Sequence, residues 1–354
     1  MLDAFYVVVN SFRMKESEPM LSELGALLVM LLLILLAAEL FTNALEHLGE
    51  KLKISEGVTG SLFAAIGTAL PETLVPLLAI FGGMKGGNAR VAEEIGVGAI
   101  LGAPLMLSTL SVCLMALFAL KKRGVSGRLA PEKSGFVRDL NTFIAAFGLA
   151  AVAMFVPHEQ PAVRATLSAG LVLLYFVYIL ATLRASAALV HGGHGTEAGD
   201  VMFLARLGLP GNGATIVAQL AGALALLVYG AYGFIAHVET TSKLIGVSAL
   251  WLSLMIVPIA TELPEKVNSI LWIRKRKDTL AFGNITGAMV FQGTLLPAIG
   301  IALTPWVPQK EVFAGVALTL AGAAWLRWHA GRIKVWHLFV NGALYLGYLA
   351  ITLG

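Results

Sequence analysis

Two apolar runs, each long enough to cross a bilayer, carry the same interruption. One reads Gly67-Thr68-Ala69-Leu70-Pro71-Glu72 and the other Ala260-Thr261-Glu262-Leu263-Pro264-Glu265. A carboxylate at membrane depth is costly and marks an ion or proton path. The adjoining proline removes a helix hydrogen bond and leaves a backbone carbonyl available to a cation. In hydrocarbon every other backbone group has to be satisfied internally, which restricts such a chain to membrane helices. Composition agrees: the 354 residues are 58% hydrophobic and 13% charged, with a mean hydropathy of +0.83. That charged share is about half the average for soluble domains.

Apolar runs bounded by charge, glycine or proline predict ten helices, at about 22–45, 58–81, 94–119, 138–157, 162–190, 213–237, 247–273, 280–304, 311–330 and 334–353. The expected fold is therefore an all-α integral membrane protein of ten transmembrane helices, with the second and seventh broken at their Pro-Glu motifs. Leu36-Ala37-Ala38-Glu39 imitates a signal cleavage site, but the run fits the repeat pattern and is read as a retained first helix. The longest polar connection, 191–212, contains His191, His194, Glu197 and Asp200 among glycines. It reads as a flexible linker, with weak metal binding by its His-Gly composition as the alternative. It separates two five-helix halves, 1–190 and 213–354.

Seventeen basic residues fall in connections after odd-numbered helices and seven on the other side; Lys266 sits inside a span. The positive-inside bias puts both termini outside and the 191–212 linker in the cytoplasm, in a prokaryotic-type plasma membrane. The basic clusters flank spans and carry no stacking aromatics, so nucleic acid is not an expected partner. Cys113 is the single cysteine and cannot form an internal disulfide.

With five helices per half, the second half starts from the opposite side of the membrane, so a repeat between halves is inverted. That repeat is legible. A shift of 193 residues aligns Ser55 with Ser248, Ile66 with Ile259, Thr68 with Thr261, Pro71 with Pro264 and Glu72 with Glu265. A shift of 185 aligns Gly98-Ala99-Ile100-Leu101-Gly102-Ala103 with Gly283-Asn284-Ile285-Thr286-Gly287-Ala288. Each repeat, about 55–110 and 248–300, thus pairs a Thr-x-Leu-Pro-Glu helix with a Gly-x-x-x-Gly helix able to approach it closely.

These strings, GTALPE with GAILGAP and ATELPE with GNITGAM, resemble the α-repeats of the sodium/calcium antiporters in the cation/calcium exchanger superfamily. The lead-in from Leu40 to Glu72 is also similar to that family's first helix and turn. The resemblance implies a ten-helix antiporter in which Glu72 and Glu265 form a central cation site. It implies exchange of Ca²⁺, or a similar divalent cation, against Na⁺ by alternating access, with helices 1 and 6 moving against a core of helices 2, 3, 7 and 8. Both ions are cargo, so no cofactor is expected; the partners are small inorganic cations and the lipid bilayer.

A hard divalent cation takes six to eight oxygens. Glu72 and Glu265 would supply two charges from opposite halves. Thr68 and Thr261 lie one helical turn earlier on the same face, where each hydroxyl either joins the shell or bonds its own helix. Asn284 offers a neutral oxygen, and Gln292 either a second one or a bridge between helices. The first half departs from the family pattern at Ala69, Ala99 and Pro104 and so brings fewer ligands. In the second half Glu262 takes the serine position and Lys266 follows the key glutamate. Spaced i, i+4, Glu262 and Lys266 are expected to neutralise one another, with the ammonium in place of a monovalent ion. The alternative is that Lys266 snorkels to the interface.

The thinned set of sodium ligands leaves a second function open: a Ca²⁺/H⁺ antiporter with Glu72, Glu265 and Glu262 as proton carriers. A cation channel fits less well, because broken helices in an inverted repeat favour alternating access. An enzyme is not expected: H-E-x-x-H, G-x-S-x-G and paired intramembrane aspartates are all missing.

Overall fold

The computed structural model describes residues 2–51, 65–84, 89–187 and 201–353. Ser55, the turn residues 85–88, and His191, His194, Glu197 and Asp200 of the linker lie outside the described residues. Among the described residues the chain is helical, with an isolated antiparallel bridge between Arg128 and Lys334. The helices are α1 (Leu2–Lys51), α2 (Ala65–Met84), α3 (Ala89–Met106), α4 (Val112–Arg123), α5 (Lys133–Ala153) and α6 (Pro161–Ala187). They continue with α7 (Phe203–Arg206), α8 (Gly213–Ile245), α9 (Ala249–Thr261), α10 (Leu263–Arg274), α11 (Asp278–Leu303), α12 (Lys310–Trp328) and α13 (Val335–Leu353). Each of the ten segments expected from the sequence contains helix within its described part.

Among the described residues, seven helical stretches are long and apolar enough to span a bilayer: Met20–Leu45, Ala89–Arg123, Lys133–Ala153, Pro161–Thr182, Gly213–Ile245, Asp278–Leu303 and Val335–Thr352. Glu72–Gly82 and Ala249–Ile259 are apolar but shorter. The protein is an all-α membrane protein. The two Pro-Glu motifs behave differently. Glu262, at φ −90° and ψ 5°, separates α9 from α10, and Pro264 sits in the first turn of the new helix, where its missing N–H costs nothing. Pro71, by contrast, lies within a continuous α2, so the break expected in the second helix is not present over 65–84.

Packing around the motifs is close and specific. A β-carbon at Gly98 would lie 2.6 Å from the Leu250 carbonyl, and one at Gly102 would lie 2.2 Å from the Leu254 carbonyl. Gly98 and Gly102 therefore bring α3 against α9, a helix of the other half, while Gly96 faces Ile80 of α2, its own Pro-Glu helix. Pro258, lacking an N–H, frees the Leu254 carbonyl on that face. At Gly283 and Gly287 the same addition would meet nothing within 4 Å among the described residues. The second block meets α10 through Asn284, between those glycines, which donates to the Glu265 carbonyl at 3.0 Å.

Between α3 and α4 a π-helical turn, Leu107–Ser111, displaces the backbone three residues after Pro104. Asn341 of α13 donates to the Ser108 carbonyl at 2.7 Å and to that of Gly322 at 3.1 Å, so it is the helix-contact amide that such a bulge requires. At one end of the molecule Arg123 grips Asp278 through two bonds of 2.7 and 2.5 Å, and the same carboxylate accepts from Ala130 N at 2.8 Å. Both side chains are buried, and the pair fastens the end of α4 to the start of α11. At the end of α11 the buried Arg164 guanidinium donates to the carbonyls of Pro305 (2.9 Å), Ile301 (2.5 Å) and Thr304. Cationic capping of this kind offsets the negative end of the helix dipole.

Candidate functional site

The α9–α10 break gathers the polar side chains. Glu262 occupies the break, and Glu265 and Lys266 occupy the first turn after it. Glu72 reaches the same place from α2, and Gln292 from α11. All five are buried: Glu72 at 5% exposure, Glu262 at 0%, Glu265 at 5%, Lys266 at 6% and Gln292 at 0%. Gln292 Nε2 donates to Glu72 Oε2 at 2.7 Å and to Glu262 Oε1, so one amide ties the two halves together. The bridging role weighed for Gln292 is therefore realised, with glutamates as the partners.

Among the described residues, Glu72 Oε1, Glu262 Oε2 and Gln292 Oε1 are buried and have no hydrogen-bond donor. Each such oxygen costs about 1–3 kcal/mol to desolvate without a partner. The C-terminal end of α9 adds partial negative charge at the same point. These are hard donors suited to an alkaline-earth or alkali cation. Among the described residues, however, no group of three or more His, Cys, Asp or Glu side chains is arranged as a metal centre. The Gln292 amide is wedged between two of the carboxylates.

Lys266 settles one of the two alternatives weighed for it, against snorkelling. Its Nζ donates to the Pro258 carbonyl at 2.9 Å, pointing back across the break, so it does not snorkel to an interface. Nor does it pair directly with Glu262, whose Oε1 is taken by Gln292. Lys266 nonetheless lies in the field of Glu262, Glu265 and Glu72. With all four ionised, the cluster carries a formal charge of −2, summed over three carboxylates and one ammonium.

The remaining expected residues divide. Asn284 Nδ2 donates to the backbone carbonyl of Glu265 and to Ser269 Oγ, both at 3.0 Å. It positions the turn that carries Glu265 and is joined to the cluster through backbone. Thr261 is buried and bonds the Val257 carbonyl of its own helix at 3.2 Å. Thr68 lies on α2, with its side chain outside the described residues. Ser269 escaped the sequence reading although it lies one turn beyond Glu265. So did Asp139, a buried carboxylate that accepts from Thr286 at 2.7 Å and Tyr178 at 3.1 Å. An aspartate beside Arg138 at a helix start resembles an interfacial pair; only the fold turns it inward. The helix expected to end at 237 runs on to Ile245, and within it His237 Nδ1 meets Glu23 Oε2 of α1 at 2.6 Å.

Comparison with known proteins agrees with this architecture. CaxA of Alkalimonas amylolytica is 26% identical over 305 residues, covering 83% of this chain and 86% of that protein. The inner membrane protein YrbG of Escherichia coli K12 is 25% identical over 288 residues, covering 81% of each. Among solved structures, the H⁺/Ca²⁺ exchanger CAX superposes with a TM-score of 0.67 at 18% identity, over 94% of this chain and 82% of that one. The sodium-calcium exchanger NCX_Mj superposes with a TM-score of 0.56 at 18% identity, over 94% and 99%. The fold is thus that of the cation exchangers, and the chain is a transporter rather than an enzyme. The sodium/calcium exchanger protein family matches residues 22–184 and 215–354, the greater part of both halves, and the chain belongs to that family.

Proposed function

We propose that this protein is a secondary-active antiporter that exchanges Ca²⁺, or a similar divalent cation, against Na⁺ by alternating access. The observation that carries the reading is the convergence of buried oxygens of Glu72, Glu262 and Gln292, from helices of both halves, that have no donor among the described residues. Glu72 and Glu265 are the charged ligands that hold the divalent ion. Glu262, Gln292, Thr261 and Thr68 complete its oxygen shell, and Asn284 orients Glu265. Ten helices cross the membrane as two inverted five-helix repeats, 1–190 and 213–354. The 191–212 linker is cytoplasmic and both termini face outward, in a prokaryotic-type plasma membrane.

A second reading, Ca²⁺/H⁺ exchange, is favoured by one specific observation. Ala69, Ala99 and Pro104 stand where oxygen-bearing side chains would serve sodium, while a third carboxylate, Glu262, is buried at the centre. ⁴⁵Ca²⁺ uptake into proteoliposomes, driven in parallel by a sodium gradient and by a pH gradient, separates the two. Uptake that requires the sodium gradient and is lost in Glu72→Gln and in Glu265→Gln supports the first reading. Uptake driven by the pH gradient alone supports the second. Absence of calcium flux under both gradients would overturn the assignment of the ion.

A further inference from the structure

The structure assigns Lys266 a role in counting ions: we infer that its ammonium is a tethered monovalent cation, permanently resident in the transport site, which lowers by one the number of mobile monovalent ions needed per cycle. The inference rests on the exchange reading above and deepens it.

The position of the ammonium carries the argument. A lysine in a membrane helix ordinarily reaches outward along its four-carbon stem to water. Lys266 instead is 6% exposed, and its Nζ rests on a backbone carbonyl, Pro258 O, at 2.9 Å. A carbonyl oxygen beside buried carboxylates is the environment of a partly dehydrated sodium or potassium ion. The carbonyl already accepts from Glu262 N at 3.2 Å, so Lys266 takes its second lone pair, the one left to a ligand.

Charge balance fits the role. With their carboxyls ionised, Glu72, Glu262 and Glu265 would form a triple negative cluster buried from solvent, a cost that a resident cation offsets. Glu262 gives its Oε1 to Gln292, and the ammonium rests on a backbone carbonyl. The lysine acts on the cluster through its field, as a bound ion does. With it in place the net charge is −2, which one divalent ion or two monovalent ions neutralise. Removing it leaves −3 and requires a third monovalent ion; removing Glu262 alone leaves −1.

The test is a charge cycle read as the kinetic order of the driving monovalent ion, Na⁺ or H⁺ according to which gradient drives the wild type. In proteoliposomes, ⁴⁵Ca²⁺ exchange is measured against increasing concentration of that ion on the opposite side. The expected order is about two for wild type, about three for Lys266→Met, about one for Glu262→Gln and about two for the double variant, following net site charge. Lys266→Arg, which keeps the charge, holds the order at about two. An order unchanged by Lys266→Met would overturn the inference while leaving the exchange reading standing. If Lys266→Met does not assemble, comparison of Glu262→Gln with the double variant reads the same step, and equal orders there would overturn it. Wild type without calcium flux under either gradient overturns the underlying reading instead.

Discussion

Gln292 shows how one neutral side chain can organise a cluster of charges. Its amide N–H groups serve Glu72 and Glu262 together, leaving its own oxygen buried and unpartnered. Gln292→Leu keeps nearly the same volume, so the cavity contribution is small and the loss of the two donors dominates. We expect the ion-free protein to lose about 1–3 kcal/mol for each stranded carboxylate oxygen. Thermal unfolding in detergent checks this, and an unchanged midpoint would mean that the bridge does not hold the halves together. At this scale the sequence was legible for the actors and silent about their partners. Glu72, Glu262, Glu265, Lys266 and Gln292 stand out because ionisable and amide groups are expensive in an apolar run. That Lys266 would choose a carbonyl eight residues back, or Asn284 the hydroxyl of Ser269, depends on helix rotation, which no spacing rule supplies.

Helices form here wherever apolar runs are long enough, so all ten expected segments were legible from hydrophobicity. Their interruptions were not. Two nearly identical Thr-x-Leu-Pro-Glu motifs give a continuous α2 and a broken α9–α10, because proline is tolerated in either setting and the neighbours decide. Ends held by side chains are more predictable. Glu132 closes the start of α5, its Oε1 accepting from Ser134 N and its Oε2 from Gly135 N, both at 2.7 Å. Those backbone N–H groups favour the charged form and hold the Glu132 carboxyl below the usual glutamate range. Because the folded value is depressed, the stabilisation is complete above the unfolded carboxylate range and is lost as pH falls through the folded value. Glu132→Ala should therefore cost about 1 kcal/mol near neutral pH, typical of a lost N-cap. The difference from wild type should close in acid. Unfolding of both proteins across that range checks the slope; a difference independent of pH would mean that the carboxylate is not what caps the helix.

Across the whole molecule, the family resemblance anticipated that α1 and α8 move as a pair against the remainder, and their packing bears on how. Small residues on α8 admit α1 at close range: a β-carbon at Gly233 would lie 2.5 Å from Met30 Sδ. Gln219 Nε2 continues the contact by donating to the Leu40 carbonyl at 2.9 Å and to Asn43 at 3.0 Å. His237 and Glu23 meet on the same pair of helices. The remainder is fastened separately, by the Arg123–Asp278 clasp and by the α3–α9 crossing at Gly98 and Gly102. The two bodies meet through a shared apolar cluster that includes Ile34 and Phe234 on one side and Val75 and Ile95 on the other; a β-carbon at Gly82 of α2 would sit 3.7 Å from the Tyr232 ring of α8. Alternating access by rigid-body motion then predicts opposite outcomes for two cross-links, each built in a Cys113→Ala background. Joining Met30→Cys to Gly233→Cys ties α1 to α8 within the moving pair, and exchange should persist at near the uncross-linked rate. Joining Gly82→Cys to Tyr232→Cys ties the pair to the other body, and exchange should stop and return on reduction. Loss of exchange in the first cross-link would show that α1 and α8 slide past one another. Persistence in the second would place the moving boundary elsewhere, since a covalent bond across a sliding interface cannot leave transport intact.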